Sequence, residues 1–375
     1  MPAHSALPDR VRLLALVSKT VGIAPNQRYR LEQWAPHLAR DHGIELTFLP
    51  FESPQLTEIL YRKGHLAKKA GWVIYDFLRR AAAVRKARDY DGVIVCREAS
   101  LIGPAFYERL ISRSGPPIIY DFDDAIWLSP HATGAEARNG PFTWLHFFGK
   151  TDTICRIADA ITPGNEYLAR FARARNVNVT VVPTSIELKD YPALPEVSEK
   201  DRFVVCWTGS TSTLAHFEYA RPALEKLAAE RPVEVRVICS EPPSKPIAGA
   251  KTTFIRWRAD SEAQDVADCH VGIMPLPDNE ATRGKCGLKA LQYMATGRPV
   301  VVSPVGMNRD LVEDGVNGFQ ASTTKELVDA LSRLADDAAL RRRLGEAARR
   351  TVEDRFSAER AAAAFAGAVR QALEP

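Results

Sequence analysis

Two lysines stand on either side of a glycine in the stretch RGKCGLKALQYMATG, residues 283–297, where an apolar helix is predicted to begin. The first amide groups and the dipole of a helix favour an anion, and Lys285 and Lys289 add two positive charges at the same place. Gly287 lets a bound group approach the backbone closely. Gln292, one helical turn further on, is within hydrogen-bonding reach of a ribose hydroxyl. The pattern predicts a diphosphate site; surface lysines at a solvated helix start are the alternative.

The same helix is predicted to have one packing face and one open face. On a helical wheel, Leu288, Leu291 and Ala295 form the first face, and Lys289, Gln292 and Tyr293 form the second. Gly297 is predicted to end the helix before the next strand.

Alternating strand and helix patterns must position these residues. Strands are predicted at 11–18, 44–51, 92–96, 117–122, 160–165 and 179–184, and then at 203–210, 233–240, 252–257, 271–276 and 299–305. Strands that alternate with helices form parallel sheets covered on both faces. The two series therefore predict an α/β fold with two Rossmann-like lobes, and ligands are expected in the cleft beyond the strand ends.

The lobes are predicted at residues 1–192 and 200–356, joined near 191–201, where prolines and charges interrupt the periodicity. Three amphipathic helices are predicted in the last third of the chain, with Thr324 as a candidate cap of the first. The final helix, 357–375, is a candidate to pack back on the N-terminal lobe.

Residues 274–321, MPLPDNEATRGKCGLKALQYMATGRPVVVSPVGMNRDLVEDGVNGFQA, resemble the donor-binding lobe of group 1, or family-four, retaining glycosyltransferases of the GT-B fold. In that family a glutamate on this helix holds the ribose of a nucleotide-sugar, and a second glutamate lies eight residues earlier. Gln292 and Gly284 stand at those positions here. The lysines match a subgroup with a GKxGxKxxQYMA pattern.

The resemblance implies a donor site in the C-terminal lobe. In the loop WTGSTST, residues 207–213, Gly209, Ser210 and Thr211 are expected to offer backbone and hydroxyl donors to a phosphate. Trp257 and Arg258 end another strand and are candidates to touch the base. The full donor set comprises Gly209, Ser210, Thr211, Trp257, Arg258, Arg283, Lys285, Gly287, Leu288, Lys289 and Gln292. A capped strand-to-helix turn and simple packing of Trp257 are the alternatives.

Three carboxylates, those of Asp121, Asp123 and Asp124, lie where the strand in IIYDFDDAIW, residues 118–127, ends. By hypothesis Asp123 or Asp124 orients or deprotonates the acceptor hydroxyl, and Asp121 lies on the acceptor side. Capping of the next segment is the alternative. DFD also matches a metal-binding DxD and a phosphatase motif. Ala125 argues against the phosphatase motif, and the two strand series argue against both.

The loop VGIAPNQRYRLEQW, residues 21–34, follows the first strand. Gly22, Arg28 and Arg30 are candidates to line the acceptor side, with surface arginines as the alternative.

A basic segment runs through residues 61–88, with Asp76 as its single acidic residue. Its cations are Arg62, Lys63, Lys68, Lys69, Arg79, Arg80, Arg85, Lys86 and Arg88. Apolar and aromatic side chains lie between them, which suits the surface of an anionic membrane and a lipid-linked acceptor. A basic helix packed on its own sheet is the alternative.

Charge, hydropathy and cysteine spacing argue against several other classes of protein. The net charge of +4 does not indicate nucleic-acid binding, and no apolar run is long enough to span a bilayer. The N-terminus lacks an export pattern, so a cytoplasmic protein is expected, with a candidate peripheral contact at the inner membrane face. The six widely spaced cysteines predict reduced thiols rather than metal ligands.

The resemblance, together with the predicted diphosphate site, implies a retaining hexosyltransferase that uses a nucleoside-diphosphate sugar, in cell-surface polysaccharide or glycoconjugate biosynthesis. Its acceptor is a glycan, a lipid-linked or a small molecule. Lys285 and Lys289 are expected to stabilise the departing diphosphate, with no cofactor or metal. A nucleotide-sugar-binding protein without transfer and a GT-B-like epimerase remain as alternatives, because a fold does not determine a function.

Overall fold

The computed structural model describes residues 10–60, 62, 64–128, 147–193 and 202–374. The chain divides into two compact units. The first comprises residues up to Thr184 and from Ala358 onward, and the second comprises Ser185–Ser357. Each unit is an α/β layer structure around its own parallel sheet, which confirms the predicted fold class. The predicted join at 191–201 lies mostly outside the described residues.

The strands follow the apolar runs of the sequence. They are β1 (Val11–Val17), β2 (Ile44–Pro50), β3 (Gly92–Cys96), β4 (Ile118–Phe122), β5 (Ala160–Pro163), β6 (Phe203–Thr208), β7 (Val233–Cys239), β8 (Lys251–Arg256), β9 (Val271–Met274), β10 (Val300–Val302) and β11 (Phe319–Gln320).

The helices are α1 (Pro25–Gln27), α2 (Ala35–His42), α3 (Pro54–Leu60), α4 (Leu66–Arg85), α5 (Phe106–Ser114), α6 (Lys150–Ile157), α7 (Glu166–Arg173), α8 (Leu214–Glu218), α9 (Arg221–Glu230), α10 (Glu262–Ala267), α11 (Glu280–Arg283), α12 (Leu288–Ala295), α13 (Asn308–Leu311), α14 (Thr324–Asp336), α15 (Ala338–Arg355) and α16 (Ala358–Leu373). Short 3-10 turns lie at Lys86–Asp89 and Thr211–Thr213, and a π-helical turn at Arg28–Glu32.

The first unit has a five-stranded parallel sheet in the order β2-β1-β3-β4-β5. Strand β3 is buried along its whole length, because a parallel sheet is covered by helices on both faces. Helix α16 contributes to this core: the Phe365 ring lies 5.4 Å from that of Trp34. The predicted strand at 179–184 is wrong, since Val179 makes only an isolated bridge with Ile161.

The second unit has a six-stranded parallel sheet in the order β11-β10-β9-β6-β7-β8. The two-residue strand β11 was not predicted. Helix α14 is capped by Thr323 rather than by Thr324: its side chain accepts from the Glu326 amide, and Glu326 bonds back in a capping box.

Two further findings concern the described residues. No helix among them is both long and apolar enough to cross a membrane. All six cysteines are buried and free of disulfides, as the sequence predicts.

Candidate functional site

Helix α12 begins at a glycine that no other residue would readily replace. Gly287 is its N-cap with φ 73°, in the left-handed region where a Cβ is strained. An added Cβ would also lie 3.1 Å from Cδ2 of Leu311. Because the first amides of a helix lack partners within it, this end presents those of Leu288 and Lys289.

The two predicted lysines flank that helix start. Lys285 donates its amide to the Thr282 carbonyl at 3.0 Å, and both lysines are half-buried. The Nζ of Lys289 lies 5.1 Å from the centroid of the Trp207 ring. Two cations and a set of helix amides thus meet at one place in the second unit, an arrangement suited to a polyanion.

The predicted open face of α12 is wrong beyond its first turn. Residues 290–295 are all buried, and Leu288, placed on the packing face, is half-exposed. Tyr293 points into the sheet, where its hydroxyl accepts from the Thr208 amide at 2.7 Å and donates to the Cys206 carbonyl at 3.1 Å. The ring fits because Gly272 has no side chain, and a Cβ there would overlap it.

Helix α12 ends as predicted. Gly297 has φ 75° and donates to the Met294 carbonyl, while the Arg298 amide donates to that of Tyr293. This pair of bonds is a Schellman motif, in which glycine supplies the left-handed residue.

Gln292 belongs to a buried polar cluster. Its Nε2 donates to Oη of Tyr191 at 2.9 Å and to Oε1 of Glu262 at 2.8 Å. The same Oε1 accepts from Nε1 of Trp257 at 2.8 Å. Sequence reasoning missed Tyr191 and Glu262; the single local signal was an acidic residue shortly after Trp257 at the end of β8.

In the loop after β6, two backbone amides that were predicted to bind phosphate already donate hydrogen bonds within the protein. The Gly209 amide donates to the Ile238 carbonyl at 3.0 Å, and the Ser210 amide to Oγ1 of Thr213 at 3.1 Å. These two amides are therefore not open phosphate donors, which corrects that expectation. Ser210 caps the 3-10 turn, the stated alternative. Thr211 Oγ1 lies 2.9 Å from Oγ of Ser240.

Glycine at 209 is explained by packing rather than by ligand approach. A Cβ at this position would overlap the Trp207 ring, because the ring lies directly beneath the loop. The loop thereby holds in place the aromatic face that Lys289 covers.

Two predicted donor-side arginines are paired at the surface. Arg258 bonds Asp260 through Nε at 3.0 Å, and Arg283 bonds Asp278 through Nε at 2.6 Å. Both arginines are exposed. Gly306 packs against the backbone of Arg283, where a Cβ would lie 2.6 Å from the Arg283 carbonyl oxygen.

In the first unit, Asp121 is a structural residue. Its Oδ1 lies 2.6 Å from Nη2 of Arg30 and accepts from Thr162 Oγ1 at 2.8 Å, with the pair fully buried. Arg30 also bonds the carbonyls of Val182 and Thr162. The acceptor-side expectations for Asp121 and Arg30 are therefore corrected: both hold β4, β5 and the following segment together.

Asp123 and Asp124 lie beside Arg97 at the carboxyl ends of β3 and β4. Nη1 of Arg97 is 3.9 Å from Oδ1 of Asp123 and 3.4 Å from Oδ2 of Asp124. Burial and the neighbouring Asp124 charge raise the pKa of Asp123 to about 6. Such a carboxyl can exchange a proton near neutral pH.

Arg97 was missed by sequence reasoning and has an unusual backbone. Its φ is 64°, which L residues with bulky side chains rarely adopt. Its amide donates to the Asp121 carbonyl, and its own carbonyl accepts from the Tyr120 hydroxyl at 2.9 Å. Strain of this kind persists where the surroundings fix it, often at functional sites.

Gly22 and Arg28, both in the loop after β1, differ in their exposure and in their contacts. Gly22 is exposed with φ 88° and donates its amide to Oε2 of Glu32 at 2.8 Å. Arg28 is half-buried and lies over the Tyr29 ring, 4.8 Å from its centroid.

The cations of the basic segment, residues 61–88, fall into two groups: some bond the backbone of the sheet, and others are exposed. Arg80 is buried and donates to the carbonyls of Leu49 and Val17 at 3.0 Å, while Arg79 donates to those of Pro50 and Phe51. These two arginines bind the ends of β1 and β2, which corrects their surface assignment. Tyr61 and Lys63 lie outside the described residues.

Exposed apolar and basic side chains lie on α4, just after it and on α5. The large exposed apolar side chains here and on α5 are Leu66, Ile74, Tyr75, Leu78, Phe106 and Leu110. Lys68, Arg85, Lys86 and Arg88 are exposed on or just after α4. We refer to these ten residues as the α4 surface.

Comparisons with known proteins agree with this geometry. Residues 202–337 match the family described as Glycosyl transferases group 1. The alpha-D-kanosaminyltransferase of Streptomyces kanamyceticus is 25% identical over 286 residues, 71% of this chain and 74% of that protein.

Solved structures share the fold across nearly the whole chain. Anabaena HepE in complex with UDP and glucose has a TM-score of 0.66 at 17% identity, covering 96% of this chain and 99% of that one. Sucrose-phosphate synthase from Thermosynechococcus elongatus has a TM-score of 0.69 at 15% identity, covering 96% and 98%. WaaG, a glycosyltransferase involved in lipopolysaccharide biosynthesis, has a TM-score of 0.61 at 15% identity, covering 94% and 98%.

These likenesses confirm the GT-B fold expected from the sequence. The match at residues 202–337 lies within the unit that contains α12, Lys285 and Lys289. Residues 202–337 are thus similar to the group 1 glycosyltransferases, and the chain is an enzyme of the glycosyltransferase class.

Proposed function

We propose that the protein transfers a hexose from a nucleoside-diphosphate sugar to an acceptor hydroxyl with retention of anomeric configuration. The start of α12 is the observation that carries this proposal. Gly287 opens the helix, and Lys285 and Lys289 add charge where its first amides are presented. Negative charge builds on a departing diphosphate, and preorganised amides and cations stabilise it. The proposal therefore invokes no metal or other cofactor.

The acceptor side is assigned to the first unit. Asp123, with a pKa raised to about 6, is proposed to orient or deprotonate the acceptor hydroxyl together with Asp124. Arg97 donates a hydrogen bond to Asp124 and forms a longer ion pair with Asp123. The acceptor is proposed to be a glycan, a lipid-linked or a small molecule of cell-surface polysaccharide or glycoconjugate biosynthesis.

UDP-sugars are the first donors to test, because HepE was solved in complexes with UDP, glucose and UDP-glucose. A thermal-shift screen against UDP, GDP, ADP and dTDP, each with its sugars, tests the donor site before any acceptor is known. We expect stabilisation by one nucleoside diphosphate that is lost in Lys285→Ala and Lys289→Ala. No shift with any of these nucleotides would contradict the proposal.

Binding without transfer is the second candidate, and the residues at 284 and 292 favour it. Gly284 and Gln292 carry no carboxylate where the resembling family has one. Donor binding without transfer or hydrolysis across a panel of acceptors would support it. Interconversion of the sugar without an acceptor would instead indicate an epimerase.

We further propose that the α4 surface contacts an anionic membrane and thereby reaches a lipid-linked acceptor. Exposed apolar side chains there are accompanied by cations, so apolar burial and charge attraction reinforce one another. Ile74→Ser with Leu78→Ser should reduce flotation with anionic liposomes. Val177→Ser, at another exposed apolar site of the same unit, is the matched control. Equal flotation with neutral and anionic vesicles would contradict membrane binding.

A further inference from the structure

The chain makes a sharp turn at Arg97, directly after β3. The Glu98 amide donates to the Cys96 carbonyl at 2.8 Å, and Arg97 between them has φ 64°. This combination is a γ-turn of the rare, strained kind, in which the central residue has a positive φ. A residue with a bulky side chain does not favour that conformation, so other parts of the protein must hold the turn in place.

Buried side chains bond the backbone of this turn and of the residues after it. The Tyr120 hydroxyl, on β4, donates to the Arg97 carbonyl at 2.9 Å. Nζ of Lys150, at the start of α6, donates to the Ser100 carbonyl at 2.7 Å. Tyr120 and Lys150 are 0% and 6% exposed, so both bonds are shielded from solvent.

Glu108, on α5, makes the third of these bonds. Its Oε1 accepts from the Ala99 amide at 2.9 Å, and both residues are fully buried. Oε2 of Glu108 is buried without a hydrogen-bond partner among the residues that the structure describes. Desolvation raises the pKa of Glu108. Burial of an acidic group with one oxygen unpaired costs stability, so we expect Glu108 to serve a purpose other than packing.

We propose that Glu108 is a positioning residue that fixes the turn at Arg97 and thereby directs its guanidinium towards the two carboxylates of the acceptor side. The proposal rests on the proposed function, which assigns Asp123 and Asp124 to the acceptor hydroxyl. Nη1 of Arg97 lies 3.4 Å from Oδ2 of Asp124 and 3.9 Å from Oδ1 of Asp123. The allowed rotamers of a side chain depend on its backbone, so relaxation of the turn would withdraw the guanidinium from both carboxylates.

The direction of a pKa change distinguishes positioning from a direct effect of charge. The charged and titratable groups beside Asp123 are those of Asp124, Arg97, Arg30, Asp121 and Cys96. Withdrawal of the Arg97 cation raises the pKa of Asp123, because a nearby positive charge favours the ionised carboxyl. Loss of a negative charge at Glu108 would by itself lower that pKa or leave it unchanged. A rise in the pKa of Asp123 therefore reports on the position of Arg97.

The test titrates the Asp123 carboxyl by carbon-13 NMR in the protein without ligands, with Asp123→Asn to assign its signal. In Glu108→Ala the midpoint should rise from about 6 by about 1 pH unit, the lower end of the effect of an opposite charge at this range. In Glu108→Gln, which keeps an acceptor for the Ala99 amide, the midpoint should not rise. Turnover of Glu108→Ala should therefore fall about fivefold at pH 6 and change little at pH 8, since fewer Asp123 carboxyls are ionised at the lower pH.

Three further variants keep the result interpretable. The double variant of Glu108→Ala with Arg97→Ala should have the same midpoint as Arg97→Ala alone, since both substitutions act through one guanidinium. Glu108→Met, which keeps most of the side-chain volume without an acceptor, replaces Glu108→Ala if that variant does not fold. Asp159→Ala is the matched control, because its carboxylate accepts from the Ile118 amide at the other end of β4. It should lower the melting temperature without moving the midpoint.

The outcomes separate the two proposals. A midpoint that stays or falls in Glu108→Ala overturns the positioning role alone, and so does an equal rise in Glu108→Gln. A further rise in the double variant also overturns it, because Glu108 would then act independently of Arg97. A lower melting temperature with an unchanged midpoint shows that Glu108 serves stability only. Full turnover in Asp123→Asn instead overturns the proposed role of Asp123, and the two failures are distinguishable because the titration needs no donor or acceptor.

Discussion

The ammonium group of Lys289 lies 5.1 Å from the centroid of the buried Trp207 ring. A cation over an aromatic face is attracted by the ring, and this attraction fixes a side chain that would otherwise sample many rotamers. Trp207 is itself held beneath the loop at Gly209. The cation at the start of α12 is therefore preorganised, which is what stabilisation of a developing charge requires.

Lys289→Ala should lower kcat by about 100-fold or more, the loss typical of removing one donor to a developing oxyanion. The melting temperature should change little, because Lys289 is half-exposed and lies outside the core. Steady-state kinetics and thermal unfolding check this. Lys226→Ala, an exposed lysine of α9, is the control. An unchanged kcat in Lys289→Ala would remove this lysine from the reaction.

Gly272→Ala should destabilise the second unit by about 1–3 kcal/mol, because the added methyl group overlaps the Tyr293 ring and forces a packed side chain to move. Denaturant unfolding measures the change. The control is Gly367→Ala on α16, where a Cβ meets nothing within 4 Å and should stabilise the helix slightly. Equal effects of the two substitutions would show that Tyr293 does not depend on Gly272.

Asp123 should produce a pH-dependent turnover with an inflection near pH 6. Its pKa is raised from 3.8 to about 6 by burial and by Asp124, so a base role requires pH above that value. The folded state binds the proton more tightly than the unfolded state does. Its contribution to stability is therefore present below about pH 3.8 and is lost as the pH rises through about 6.

Asp123→Asn should abolish the inflection and lower turnover while donor binding stays intact. Rate profiles between pH 5 and pH 8 compare the variant with the wild type, and calorimetry with the nucleotide is the control. An inflection that survives in Asp123→Asn belongs to another group and would contradict the assignment.

Two substitutions of Arg97 distinguish the effect of its positive charge on Asp123 from the effect of its strained backbone on stability. Both Arg97→Gly and Arg97→Ala remove a cation that lowers the pKa of Asp123, so the inflection should move above pH 6 in each. Only glycine relieves the left-handed backbone, so Arg97→Gly should be more stable than Arg97→Ala by about 1 kcal/mol. Equal melting temperatures would show that the backbone at Arg97 stores no strain.

Much of the fold was predictable because strands that are buried on both faces appear in the sequence as short runs rich in apolar residues. GVIVC at β3 is a continuous apolar run, and β7, VEVRVIC, is rich in valine although Glu234 and Arg236 interrupt it. Strand prediction failed where the apolar run was too short or did not distinguish a strand from a loop. Strand β11 has two residues, and the run at 179–184 remains a loop that carries one bridge.

The start of α12 was also predictable, because lysine spacing and glycine act locally. The environment of Gln292 was not, since it depends on Glu262 and Tyr191, which no local pattern links to α12. Tyr293 points inward because Gly272, on a neighbouring strand, leaves room for its ring. Asp121 and Arg30 were predicted to be site residues, because the sequence does not show that they form an ion pair in the core.

Helix α16 packs in the core of the first unit although it follows the whole of the second unit in the chain. Protein synthesis runs from the N-terminus, so residues 10–184 emerge long before Phe365 can cover Trp34. The second unit, which is continuous in sequence, can complete its core earlier. We therefore expect the unit that is synthesised first to finish folding last, with its sheet open to chaperones until residues 358–374 emerge.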